Sequence, residues 1–263
     1  MTRRIYLSCG DSRFSVSYTL RKGGGESIVL IHGLGACMDG YRDIWDFPGY
    51  QNYSILTYDL LGFGDSERPM NFSYSMEAHA EVSQLLIKEL NLNNIHLVGH
   101  SMGGAIGLLV CPKMKPIIKS FVCAEGNLIS EDCTGSREAV GYSLEDFQKE
   151  GFDNLKSQIS IEIKGSSGKD KSLDLYLECL SKCDPYAFYR SSESLVKWSD
   201  SGKLLKLFVD LDIAKYYLFG DKNRNSPTVK LLSTVPKVEI TNAGHAMMND
   251  NPQEFYQKLL EVL

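Results

Sequence analysis

The chain has 263 residues, 43% of them hydrophobic and 23% charged, which is room for one large α/β domain or two small ones around a substantial core. A formal net charge of −5 without a polybasic stretch argues against nucleic acid and anionic membranes as partners. No apolar run approaches the ~18 residues of a membrane span, so no membrane span is expected.

The opening ten residues carry Arg3 and Arg4, but their apolar stretch breaks too early for a signal peptide. Seven cysteines is an odd number, and their spacings do not form a secreted disulfide pattern. All seven are therefore expected to be thiols, either small buried apolar groups or facing solvent, in a cytoplasmic protein. Cys179 and Cys183 could share a helix face, yet no second ligand pair with zinc-like spacing accompanies them, and no metal is expected.

In chain order, alternation over residues 4–9 and 14–20 predicts two strands joined by a turn at Gly10-Asp11-Ser12, an antiparallel hairpin. Beyond the flexible Gly23-Gly24-Gly25, residues 28–31, 53–58, 95–98 and 118–124 are short, nearly continuous apolar runs, as expected of strands covered on both faces. Between them, residues 75–92 read as a helix: Met76, Ala80, Val82, Leu85, Leu86, Leu90 and Leu92 recur roughly at helical spacing, Ser75 is placed to cap, and Glu77 lies in the first turn. Strand alternating with helix predicts a parallel sheet.

From residue 129 to about 207 the alternation stops. Charged, aromatic-bearing helical segments replace it, interrupted by Gly165-Ser166-Ser167-Gly168-Lys169, and we read this stretch as an inserted helical cap. The sheet pattern resumes with a strand at 214–219, a short helix near 228–235, a strand at 237–241 and a last helix over 252–263. The expected architecture is α/β: a mostly parallel eight-stranded sheet flanked by helices, with core segments 1–128 and 208–263 and a helical cap, 129–207, inserted after strand 6.

Gly99-His100-Ser101-Met102-Gly103-Gly104 lies between the buried strand at 95–98 and a helix-like run from Ala105. That context suits a nucleophile elbow, a strained turn between strand and helix with glycines where side chains would clash. The helix N-terminus turns its free amides toward the serine and favours negative charge there. Met102 supplies one oxyanion N–H, and Leu34, in the His32-Gly33-Leu34-Gly35 loop after the third strand, supplies the second.

These segments, with Asp59-Leu60-Leu61-Gly62-Phe63-Gly64-Asp65-Ser66 and Gly244-His245, resemble in order the landmarks of the α/β-hydrolase family, in particular its compact members with a helical cap. The resemblance covers nearly the whole chain except the cap and is specific for the fold, much less so for substrate. It implies Ser101 as nucleophile and His245, the one histidine beyond the cap, as its general base. His32, His79, His96 and His100 are left as structural residues, and Asp59 and Asp65 as shapers of their loop.

The acid departs from the family pattern. Its usual place, the end of a Gly-x-x-Asp after the seventh strand, reads Gly220-Asp221-Lys222-Asn223 and holds an amide. Either the acid moves to Asp221 or it comes from the end of the sixth strand, where Glu125 follows Phe121-Val122-Cys123-Ala124. A carboxylate ending an apolar strand at the sheet's functional edge is costly unless paired, which favours Glu125.

A serine at the elbow argues for acyl transfer to water rather than attack on an alkyl carbon. The expected function is a carboxylesterase-like serine hydrolase acting on a small or medium apolar ester. Amide or C–C bond hydrolysis on the same machinery and a non-catalytic small-molecule receptor stand as alternatives. No cofactor is expected and the oligomeric state is left open. The cap aromatics Tyr142, Phe147, Phe152, Tyr176, Tyr186, Phe188, Tyr189 and Trp198 offer enough surface to roof an apolar pocket, and most of them also hold the cap's own core. Which of them face substrate is left open, and exchange of Phe147 or Trp198 is expected to alter chain-length preference.

Overall fold

The computed structural model describes residues 2–165 and 171–263; four residues of the expected Gly165–Lys169 break lie outside the described residues. β1 (Arg3–Cys9) and β2 (Ser12–Arg21) form the antiparallel hairpin, turning at Gly10 with φ of 58°. β3 (Gly24–Ile31), β4 (Tyr53–Tyr58), β5 (Ile95–His100), β6 (Ile118–Ala124), β7 (Ala214–Gly220) and β8 (Lys237–Ile240) complete an eight-stranded sheet in the order β1-β2-β4-β3-β5-β6-β7-β8. Only β1/β2 and β2/β4 pair antiparallel; every other neighbour is parallel. β3 begins inside the glycine run that the sequence marks as flexible, because the Gly24 N–H finds the Asn52 carbonyl at 2.7 Å and the strand pairs onward with β4.

The continuous apolar runs are explained by helices on both faces. Along β3, Val29 and Ile31 pack in one cluster with Val82 and Leu86 of α1 (Met76–Glu89) and with Ala105 and Leu108 of α2 (Met102–Met114). Ile28 and Leu30 point the other way, toward Tyr41 and Ile44 and toward Phe255 and Leu259 of the C-terminal helix. Ser75 caps α1 as its position suggests, its Oγ accepting the Ala78 N–H at 3.2 Å.

Between β6 and β7 lies the helical cap, with α3 (Thr134–Val140), α4 (Leu144–Asp146), α5 (Phe152–Gly165), α6 (Lys171–Ser181), α7 (Pro185–Asp200) and α8 (Lys203–Asp210). Phe147, Phe152 and Phe188 form its own core, with ring centroids 5.7–5.9 Å apart. α9 (Pro227–Leu231), α10 (Met247–Asp250) and α11 (Pro252–Glu261) follow. Among the described residues no helix is long and apolar enough to cross a membrane.

One expectation fails outright. Cys37, after β3, and Cys179, on α6, form a disulfide across 142 residues of sequence, with Cα atoms 5.4 Å apart, so only Cys9, Cys111, Cys123, Cys133 and Cys183 are free thiols. Linear spacing gives no sign of this pair, because the fold of the cap onto the sheet brings the two together. Disulfides of this kind persist in oxidising surroundings, so the thiol argument for a cytoplasmic setting loses its support.

Candidate active site

β5 runs straight into α2, and Ser101 occupies the turn between them with φ of 53° and ψ of −122°, left-handed backbone that a non-glycine residue adopts only under constraint. The turn is possible because its neighbours lack side chains. A Cβ on Gly99 would come within 2.3 Å of the Gly103 carbonyl oxygen, and one on Gly103 within 2.2 Å of the Ile31 carbonyl oxygen. The constraint is supplied by the Ser101 N–H bonding the Ala124 carbonyl at 3.1 Å and by the Ser101 carbonyl accepting from Gly104 at 2.8 Å.

Across the turn lies the loop after β3. A Cβ on Gly33 would stand 2.9 Å from the Ser101 Cβ, so the loop abuts the serine directly. His32 organises the loop from the core side: its ring donates from Nδ1 to the Gly33 carbonyl at 2.8 Å and accepts the Leu60 N–H on Nε2 at 3.0 Å. Burial holds its pKa down to about 4, so the ring keeps the neutral form that this donor–acceptor pattern requires. The Ala36 N–H also bonds the Gly33 carbonyl, at 3.2 Å. With its oxygen engaged twice, the trans Gly33–Leu34 peptide turns its N–H the opposite way, and the Leu34 N–H has no acceptor among the described residues. Met102, as the first residue of α2, has no acceptor within its helix.

Glu125 leaves β6 with φ of 41°, a second left-handed non-glycine residue, and its buried carboxylate has four hydrogen bonds. Oε1 accepts from the Gly220 N–H at 2.9 Å and from Asn223 Nδ2 at 3.0 Å; Oε2 accepts from Asn223 Nδ2 at 2.8 Å and from His245 Nδ1 at 2.8 Å. Asn223, at the position where the sequence pattern leads one to expect an acid, donates to the Glu125 carboxylate instead of replacing it. Asp221 does not join this cluster. Its carboxylate accepts the Asn242 and Ala243 N–H groups, both at 3.0 Å, and the Ala243 and Asn242 amides pull its pKa below the usual value. It pins the loop that precedes His245.

With Nδ1 donating to Glu125, the half-exposed His245 ring leaves Nε2 as an acceptor. The His100 ring lies 4.7 Å from it between centroids and donates from Nε2 to the His245 carbonyl at 2.9 Å. Desolvation, with the neighbouring His245, pushes His100 down to about 3, so it takes no proton near neutrality. Asp59 shapes its loop as expected, accepting from Met38 at 2.7 Å and Asp65 at 2.8 Å.

Ser101, His245, Glu125, Leu34 and Asn223 line one cleft of about 690 Å³. A residue that sequence reasoning missed stands in it too: Asn127 Oδ1 accepts the Ser101 hydroxyl at 3.3 Å, while its amide nitrogen is pinned by the Asp132 carbonyl at 2.5 Å. The only signal was a polar side chain two residues beyond Glu125. The cap's wall of the cleft is mixed: Leu155, Leu173, Leu175 and Leu195 stand beside Tyr176 and Phe188, with Glu131, Thr134, Ser136 and Glu162 among its polar residues. Phe147 is buried in the cap's own core, and Trp198 bonds Glu77 beside a separate groove of about 660 Å³ on the outer face, so neither takes the place in the roof that its aromatic character suggests.

The sequence profile of the α/β-hydrolase fold matches residues 26–154. Lipase 3 of Moraxella sp. (strain TA144) is 39% identical over 98 residues, which is 37% of this chain and 30% of the lipase. A probable lysophospholipase of Arabidopsis thaliana, BODYGUARD 4, is 33% identical over 97 residues, 36% of this chain and 23% of its own length. This chain thus aligns with about a third or less of these curated relatives. A thermophilic esterase from Thermogutta terrifontis superposes over 98% of this chain and 97% of its own with a TM-score of 0.80 at 17% identity, which extends the likeness of fold to the cap. Sheet order, the turn at Ser101 and these matches together give the chain the α/β-hydrolase fold.

Proposed function

We propose that this protein is a serine hydrolase of carboxylic esters, with Ser101 as nucleophile, His245 as general base and Glu125 as the acid of the triad. The observation that carries the reading is Ser101 held in a left-handed turn at the head of α2, in one cleft with a histidine whose Nδ1 is fixed by a buried carboxylate.

In the first step the Ser101 hydroxyl leaves Asn127 and turns to His245 Nε2, which takes its proton as Oγ attacks the ester carbonyl. The tetrahedral oxyanion is met by the Leu34 and Met102 N–H groups, and Glu125 stabilises the imidazolium that forms. His245 then protonates the departing alcohol. Water, deprotonated by the same ring, hydrolyses the acyl-enzyme and restores Ser101. The leucine-rich wall suits an apolar acyl or alcohol group, and the carboxylates of Glu131, Glu162 and Asp250 around the cleft, against Lys222, disfavour an anionic substrate. The lipase, lysophospholipase and esterase names of similar proteins agree with this chemistry.

The test is labelling with a fluorophosphonate, read by intact mass, alongside turnover of p-nitrophenyl esters. Wild type is expected to gain one adduct, on Ser101, and to turn over short esters; Ser101→Ala is expected to do neither while melting at a similar temperature. A folded wild type with neither adduct nor turnover would overturn the proposal in favour of a non-catalytic receptor.

A further inference from the structure

The loop bearing the Leu34 amide is short, contains Gly33 and Gly35, and has one internal backbone hydrogen bond, from Ala36 to Gly33. Such a segment has little of its own to hold it rigid. His32 secures it from the core side. From the cleft side it is secured by α6 of the cap, at three places in one turn and a half of helix.

Tyr176 Oη donates to the Leu34 carbonyl at 3.2 Å. Cys179, one turn later, is joined to Cys37. Between these ties Gly35, with φ of 70°, lies so close under the cap that a Cβ there would reach 2.7 Å from Tyr176 Oη, 2.9 Å from Leu180 Cδ1 and 3.0 Å from Phe188 Cε2. Cys37 and Cys179 are both buried, and Cys37 is followed by Met38, whose N–H is held by Asp59. The loop is thus fastened at both ends and in the middle.

We propose that α6 positions the oxyanion-hole amide of Leu34 through Tyr176 and the Cys37–Cys179 disulfide, which makes the cap part of the machinery that sets kcat and makes that machinery responsive to a dithiol reductant. The proposal rests on the serine-hydrolase reading for its kinetic part. Tyr176, Cys37 and Cys179 are positioning residues, since they act through the Leu34 peptide and touch no reacting atom. In the redox step one thiolate of the dithiol attacks a sulfur of the disulfide, and its second thiol then displaces the mixed disulfide. The dithiol leaves as its cyclic disulfide, having given two electrons and two protons to yield the Cys37 and Cys179 thiols. The other five cysteines are already thiols, so among the described residues this is the one bond such a reductant opens.

The mechanism predicts an effect on the transition state more than on ground-state binding. Outright loss of one oxyanion donor costs about 10²–10³ in kcat, and a loosened donor a fraction of that. The experiment compares wild type with and without dithiothreitol, the Cys37→Ser/Cys179→Ser double variant and Tyr176→Phe, on p-nitrophenyl acetate. The expected result on reduction is a fall in kcat of about ten-fold with KM within about two-fold. Tyr176→Phe is expected to give a smaller fall of the same kind, and the double variant to match reduced wild type and no longer respond to dithiothreitol. Affinity for a trifluoromethyl ketone, which presents the oxyanion, is expected to fall in parallel with kcat. Hydrogen exchange at the amides of residues 33–37 is measured on the same samples and is expected to quicken whenever either tie is removed. Unchanged exchange in that loop on reduction and in Tyr176→Phe would overturn the positioning claim, and so would a rise in KM with kcat intact. Should wild type hydrolyse no ester, the serine-hydrolase reading fails while the exchange data still decide the positioning claim.

Discussion

Glu125 shows what single residues disclose in a sequence and what they withhold. A carboxylate closing an apolar strand has to be paired somewhere, and that cost singled it out before any partner was known. Its partners were not legible: Asn223 looked like a disabled acid, whereas its amide donates to both oxygens of Glu125. Asp221 matched the expected loop but spends its carboxylate on two backbone amides. Asn127 went unread because nothing in a sequence shows that a side chain two positions past a strand end turns back to the nucleophile. Asp59 offers a prediction of the same scale. Burial, opposed by the Met38 and Asp65 amides, raises its pKa from 3.8 to about 6. Because the folded value lies above the unfolded one, its contribution to stability falls as pH rises from about 4 to about 6 and is constant above that range. Carboxyl carbon NMR is expected to place the Asp59 midpoint near 6, and a midpoint near 4 would show that its two hydrogen bonds outweigh burial.

At the level of elements, the strands and the helix of residues 76–89 were readable because each answers to a local rule, continuous apolar runs for doubly covered strands and helical spacing with a serine cap. The cap was readable only as a break in that rule. Periodicity tells which face of a helix is apolar but not what the face meets, so it does not separate aromatics of the cap core, such as Phe147, from pocket wall. The leucines of α5, α6 and α7 take that place. Leu155→Trp is therefore expected to lower kcat/KM for p-nitrophenyl octanoate relative to the acetate by about ten-fold, the scale on which a hydrophobic pocket discriminates size. Trp198→Ala is expected to leave the ratio unchanged. A ratio that moved with Trp198 and not with Leu155 would transfer the acyl site to the outer groove.

Across the whole molecule, the sheet and its order of landmarks point to a candidate site at the carboxyl ends of the parallel strands, but the Cys37–Cys179 cross-link depends on how the cap lies over the sheet and leaves no trace in spacing. A link closing 142 residues restricts the unfolded chain strongly, an effect of roughly 3–5 kcal/mol. Reduction with dithiothreitol is thus expected to lower Tm by roughly 10 °C while the protein stays folded at room temperature, as followed by circular dichroism; an unchanged Tm would mean that the disulfide does not form in solution. The central claim is that Ser101 is activated by His245 under the charge of Glu125, and its most direct measurement is kcat on one p-nitrophenyl ester for wild type, Glu125→Gln and Asp221→Asn, with folding checked by thermal melts. The account predicts a loss of about four orders of magnitude for Glu125→Gln, as for the neutralised acid of the serine-protease triad, and near wild-type turnover for Asp221→Asn. The reverse ranking would contradict it.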